Sequence, residues 1–190
     1  MDKLKYLELK NYVVDKMAAS KSKLHDWGHV KRVKDNALKI VKVLNFQKEV
    51  DKNLLKAICL LHDLTFVDYR PGIITYFLEP FYIKKQVVKV FSRIEVNQKD
   101  QDIIVEAVVN HPFSMPFKKL HKSGNVYTKI LQDADTIDYF SQERQAKIVK
   151  AKAKIWFYKF KKFLADKVFG YGRSNLARYL NYPEIAGFFY

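Results

Sequence analysis

Apolar side chains recur every three or four residues along nearly the whole chain, and polar positions fill the intervals. That spacing gathers the apolar groups on one helical face, whereas a half-buried strand alternates every second residue. The pattern predicts a first helix over 3–19. A second starts at Trp27, with Asp26 as its N-cap and Val30, Val33, Leu38, Ile40, Val41 and Leu44 as its stripe. Asp51 is placed to cap a third, over 52–65, whose face is Leu54, Leu55, Ala57, Ile58, Leu60 and Leu61. Residues 66–80, with Pro71, Gly72 and Pro80, read as an irregular segment placed to form a lid. Helices follow over 82–95 and 99–110, the second closed at Asn110-His111-Pro112 because a residue before proline resists the helical conformation. Beyond a loop over 112–125, the pattern gives a helix over 126–140 and a long basic, aromatic one over 142–168. Gly170 to Gly172 then breaks the chain, and a short helix with an aromatic terminus packs back.

These elements make an all-α chain, a single helical domain over 1–190. Its motifs lie within 25–140, and the C-terminal helices over 142–190 pack on that core. With 48% hydrophobic and 29% charged residues the chain is globular and not disordered. No apolar run approaches the roughly 18 residues that cross a bilayer, so no membrane partner is expected. The start, MDKLKYLELKNYVVDKM, is a helix pattern and not a signal peptide. One cysteine, Cys59, allows no internal disulfide and points to a reducing, cytoplasmic setting. The net charge of +15 invites a nucleic-acid reading, but only 6 of the 35 basic residues are Arg. The excess is dispersed apart from a cluster at 147–162, so it reads as compositional background that attracts a small anionic, phosphorylated substrate. Oligomeric state leaves no mark in the sequence.

The chemistry concentrates in three short contexts: His25 and His29 in HDWGHVKRV, His62 and Asp63 in LLHDL, and His111 in VVNHPFSM. Asp133 and Asp135, in ILQDADTIDYF, alternate with apolar residues and must in part face inward. His29, His62, Asp63 and Asp133 together form a mixed nitrogen and oxygen shell suited to Mn, Fe, Co, Ni or Mg. A charged Asp buried there costs several kcal/mol (order of magnitude) unless a cation neutralises it. Without clustered cysteines, a structural zinc site is not indicated.

In that order and spacing the three motifs resemble the HD-domain superfamily of metal-dependent phosphohydrolases, whose defining pattern is H…HD…D. The resemblance spans about 25–140 and is nearest to small bacterial predicted HD-type hydrolases. It implies a helical bundle with a metal site between helices. It aligns His29, His62, Asp63 and Asp133 with the family's metal ligands and implies a divalent cation and hydrolysis of a phosphate ester. Asp63 is then the residue to accept a proton from the attacking water, and Arg32 and His111 are candidates to stabilise phosphoryl charge. Asp135 or Asp138 would hold a metal-ligating histidine, and Lys118, Lys119 and His121 are loop residues with a solvated role. Two departures stand out. Leu64-Thr65-Phe66-Val67 follows the doublet where many members carry a Lys or an acidic pair, and Thr136 stands where the nearest group has Arg. They leave open an alternative: a non-catalytic, metal-stabilised or ligand-sensing module.

Overall fold

The computed structural model of the chain describes residues 1–111, 124–150 and 155–190, the side chains of 155–161 excepted. Nine α-helices stand among them: α1 (Lys3–Met17), α2 (Trp27–Val43), α3 (Lys52–Leu61), α4 (Thr65–Asp68), α5 (Ile73–Phe91), α6 (Gln98–Asn110), α7 (Val126–Tyr139), α8 (Gln142–Lys150) and α9 (Ile155–Ser174). No strand occurs among the described residues. Short polar side chains fix the helix starts. Asp26 accepts from His29 N at 3.0 Å, and Asp51 accepts from Asn53 N at 2.7 Å and Leu54 N at 3.0 Å. Asn125 does the same for Thr128 N at 3.1 Å. Each such cap contributes about 1 kcal/mol by satisfying an amide that the helix leaves without a partner.

One apolar cluster runs from Leu9 and Val13 of α1 through α2 and α3 to α7 and the C-terminal Leu180 and Ile185. Helix α7 lies at its centre, packed against α2, α3 and α6, and is buried around most of its circumference. Gln132, Asp133, Thr136 and Asp138 are among its buried residues, so the middle of the fold carries polar groups that need partners.

Four boundaries differ from those the pattern predicts. Helix α3 stops at Leu61, leaving His62 as its C-cap. The segment expected to be an irregular lid holds α4 and the first turns of α5, because the chain breaks at Pro71-Gly72 and Pro80 lies inside a helix. An interior proline removes one helical hydrogen bond. The buried stripe Ile83, Val87 and Val90 beyond it holds α5 in place nonetheless. The helix expected over 142–168 is two helices, and the second runs through Gly170 and Gly172 to Ser174. Two 3₁₀ turns, Leu176–Tyr179 and Pro183–Phe188, replace the short terminal helix. The loop expected over 112–125, with Lys118, Lys119 and His121, lies almost wholly outside the described residues.

Gly172 serves close packing instead of chain reversal, since a Cβ there would overlap the Phe140 ring, whereas one at Gly170 meets open space. Gly172→Ala should therefore lower stability by about 1–3 kcal/mol through overpacking. Gly170→Ala should leave it unchanged or raise it by up to about 1 kcal/mol through helix propensity. Denaturant unfolding of both variants checks the pair; equal effects would contradict this packing.

Candidate metal centre

His29 enters the interior from the first turn of α2, fixed by the Asp26 cap, and is fully buried. Its Nδ1–H donates to Asp138 Oδ2 of α7 at 2.6 Å, which leaves Nε2 facing away from Asp138. His62, at the end of α3, donates Nδ1–H to the Cys59 carbonyl at 2.8 Å. His111, at the end of α6, donates Nδ1–H to the Val108 carbonyl at 2.9 Å. A carbonyl only accepts, so His62 and His111 in their neutral forms carry an Nε2 lone pair. The His62 and His111 rings meet edge to face with centroids 5.1 Å apart.

These nitrogens converge with carboxylate oxygens. His29 Nε2 lies 3.0 Å from Asp63 Oδ2, 3.1 Å from His62 Nε2 and 3.4 Å from Asp135 Oδ1. His62 Nε2 is 3.4 Å from the same Asp63 oxygen. Two overlapping groups bring their ligand atoms within 4.8 Å of one another: His29, His62 and Asp135, and His62, Asp63 and His111. Metal–ligand bonds of about 2.1 Å set at right angles put ligand atoms about 3 Å apart. The observed separations fit that frame. Asp63 Oδ2 is buried and, though close to His29 Nε2, receives no hydrogen bond of acceptable geometry. A buried carboxylate oxygen without a hydrogen bond, ringed by imidazole nitrogens, is what a divalent cation completes, so these side chains fit one.

The surrounding charges support the cluster. Burial pushes the Asp63 carboxyl up, but the imidazoles of His62, His25 and His29 outweigh it and hold it well below its ordinary range. Burial opposes a charge on His29 as well, yet Asp63 and Asp138 raise its pKa to about 9. Asp138 also resists burial and is drawn down to about 2 by His29 and Arg32. Burial chiefly, with the nearby His62, lowers His111 to about 4 and keeps it neutral.

Two expected ligating or catalytic residues have other tasks here. Both Asp133 oxygens accept backbone amides of the tail, Asn181 N at 2.7 Å and Tyr182 N at 3.0 Å. Asp133 belongs to neither ligand group, and Asp135, two residues on, faces His29 in its place. Arg32, expected to meet substrate, instead grips Asp138 through Nε and, at 3.3 Å, through Nη2. It thereby braces the acid that orients His29. Asp63 and His111 stand together with His62 in one of the two groups.

Two buried residues escaped sequence reading. Glu79, on the inner face of α5, is 5% exposed, and its carboxyl is raised well above the usual range by burial and by Asp63 and Asp135. Its signal was available: a lone acid within YFLEPFYI is as anomalous as the doublet in LLHDL. Arg144 of α8 gave no such signal, standing in the polar run SQERQAK. It reaches inward to the Leu24 carbonyl, donates to His25 Nε2 at 3.1 Å, and lies 3.8 Å from Asp138 Oδ2. Burial chiefly, with the Arg144 charge adding to it, pushes the His25 pKa well down, and the ring stacks on Phe66 with centroids 4.1 Å apart.

A metal competes with the proton on His29, so metal affinity should strengthen as pH rises from 6 towards about 9, with proton release on binding. In metal-free protein the sign reverses for stability. The raised pKa contributes stability that is complete below pH 6.5 and is lost as pH rises through about 9. Calorimetric metal titration and thermal melts across that range check both; a pH-independent affinity would contradict the cluster.

Comparison with known proteins bears on the family and the fold. No curated protein matches the chain. The crystal structure of a predicted HD superfamily hydrolase from an uncultured Thermotogales bacterium shares 19% identity with it, over 90% of this chain and 91% of that one, at a TM-score of 0.56. At that identity the likeness establishes the helical fold. The HD domain model matches residues 26–141, a span that holds His29, the His62-Asp63 doublet and the α7 acids, and by this match the chain belongs to the HD-domain family.

Proposed function

We propose that the protein is a metal-dependent phosphohydrolase acting on a phosphate ester, with the cation held by His29, His62, Asp63 and Asp135. The observation that carries this reading is the convergence of His29 Nε2, His62 Nε2 and Asp63 Oδ2 within 3.0–3.4 Å in a buried space. When bound, a divalent cation supplies Lewis acidity towards a phosphoryl oxygen and a water of lowered pKa. Asp63 is the base in this scheme, since its oxygen stands within the proposed ligand set and accepts no hydrogen bond that it would first have to give up. His111, beside His62 and neutral, faces the same space and orients or completes the ligand set. Asp138 fixes the His29 ring, and Arg32 and Arg144 keep Asp138 ionised and in place. Glu79, whose buried carboxyl is pushed well above its usual range by desolvation and by Asp63 and Asp135, is the candidate hydrogen-bond donor in this scheme.

The test is hydrolysis of a chromogenic phosphomonoester and phosphodiester with Mn²⁺, with and without chelator. His62→Ala and Asp63→Ala should each lower turnover by at least about 10²-fold with helical content kept. Metal-dependent stabilisation without any turnover, across a panel of esters, would instead favour the non-catalytic module. The two α7 acids separate cleanly. Asp135→Asn should weaken metal binding about tenfold or more, whereas Asp133→Asn should keep it and lose roughly 1–3 kcal/mol of stability by weakening its hold on the tail. The reverse pattern would return the ligand role to Asp133.

A further inference from the structure

Helix α5 has two faces of different character. Glu79, Ile83, Val87 and Val90 are buried inward. The outward face opens with Ile73, Ile74 and Phe81, exposed at 78, 74 and 66%, together with Leu78 at 44%. At about 100° per residue these four fall on one arc less than half the circumference wide. No charged residue interrupts them over the first turns. Exposed Lys84, Lys85 and Lys89 follow on the same arc, and exposed Arg70 precedes it. The nearest exposed acid in sequence, Asp68, is drawn to Gln86 on the helix's other side.

From this arrangement we infer that the outer face of α5 docks the protein on an anionic lipid surface. An apolar band of Ile and Phe bounded by cations at both ends is the make-up of a helix that lies in the headgroup region, apolar groups inserted and cations at the phosphates. Charge chooses between occupants. A second copy would bring a +15 chain against its equal and set Lys84, Lys85 and Lys89 against like charges, whereas an anionic bilayer is attracted by both. No helix among the described residues is long and apolar enough to cross a membrane, so the association is peripheral. The expectation of no membrane partner came from the lack of a spanning run; a docking face needs only two or three turns of one helix. The inference requires no metal and is independent of the phosphohydrolase reading.

The experiment is co-sedimentation of the full chain, in chelator, with vesicles of phosphatidylglycerol and phosphatidylcholine, and with phosphatidylcholine alone. Binding to the anionic vesicles, weakened by salt, is the expected result. Ile74→Ser with Phe81→Ser should lower the partition coefficient at least about tenfold by removing inserted apolar surface. Lys84→Glu with Lys85→Glu should lower it comparably at low salt and less at high salt. All four side chains are exposed, so unchanged melting temperature and circular dichroism accompany these losses. Absence of binding to anionic vesicles, equal binding to uncharged ones, or unaltered binding by the Ile74 and Phe81 variant each overturns the proposal. So does a dimer by light scattering that the same variant dissolves, which would assign the face to a second copy.

Discussion

Two imidazole nitrogens and a carboxylate oxygen crowd within 3.0–3.4 Å of one another among buried side chains, and the carboxylate oxygen accepts no hydrogen bond of good geometry. In a low-dielectric interior such a grouping persists only if a positive charge completes it. A proton on His29 does so partially, and a divalent cation does so fully. Much of the interior is arranged to hold that space open. The ends of α3 and α6 turn His62 and His111 towards it by tying each Nδ1 to a carbonyl one turn back. The Asp26 cap fixes the turn that carries His29. Arg32 and Arg144 stand behind Asp138 so that the acid orienting His29 stays ionised.

Helix α7 shows how little freedom this leaves. Residues two apart on a helix point about 200° away from each other, while residues three apart differ by about 60°. Asp135 and Asp138 therefore share the side that faces α2, and Asp133 must face elsewhere. It faces the C-terminal tail, whose amides at Asn181 and Tyr182 it satisfies. One short acidic motif thus serves two purposes: it sets Asp135 and Asp138 against His29, and it fastens residues beyond α9 to the core. Asn181 strengthens the second by donating from its side chain to Asp133 at 2.9 Å and to Gln132 at 3.0 Å. Thr136 lies buried between these two sides, its hydroxyl without a hydrogen bond among the described residues.

Helix α5 joins the interior to the exterior. Its inner face sets Glu79 near the acids of the centre, and its outer face presents an apolar band to solvent. Pro80, adjacent to Glu79, lies within the same continuous helix, so the two faces belong to one rigid element. A surface met by the outer face would lie one helix diameter, about 10 Å, from the site.

Much of this protein was legible in one dimension. The 3.6-residue spacing determined that every described element is helical, and Asp26 and Asp51 marked their helix starts because capping is local chemistry. The pairing of His with Asp inside LLHDL announced a buried charged site, since apolar sequence tolerates such a pair only with a partner. What spacing could not decide was direction and distance. Whether Asp133 or Asp135 faces His29 depends on the rotation of α7 against α2, and whether Arg32 meets solvent or Asp138 depends on the same contact. Gly172 read as a break because glycine is permissive everywhere; only the Phe140 ring beside it shows that its missing side chain is what matters. Local preferences are written residue by residue, whereas the orientation of one helix on another is settled by all their side chains at once.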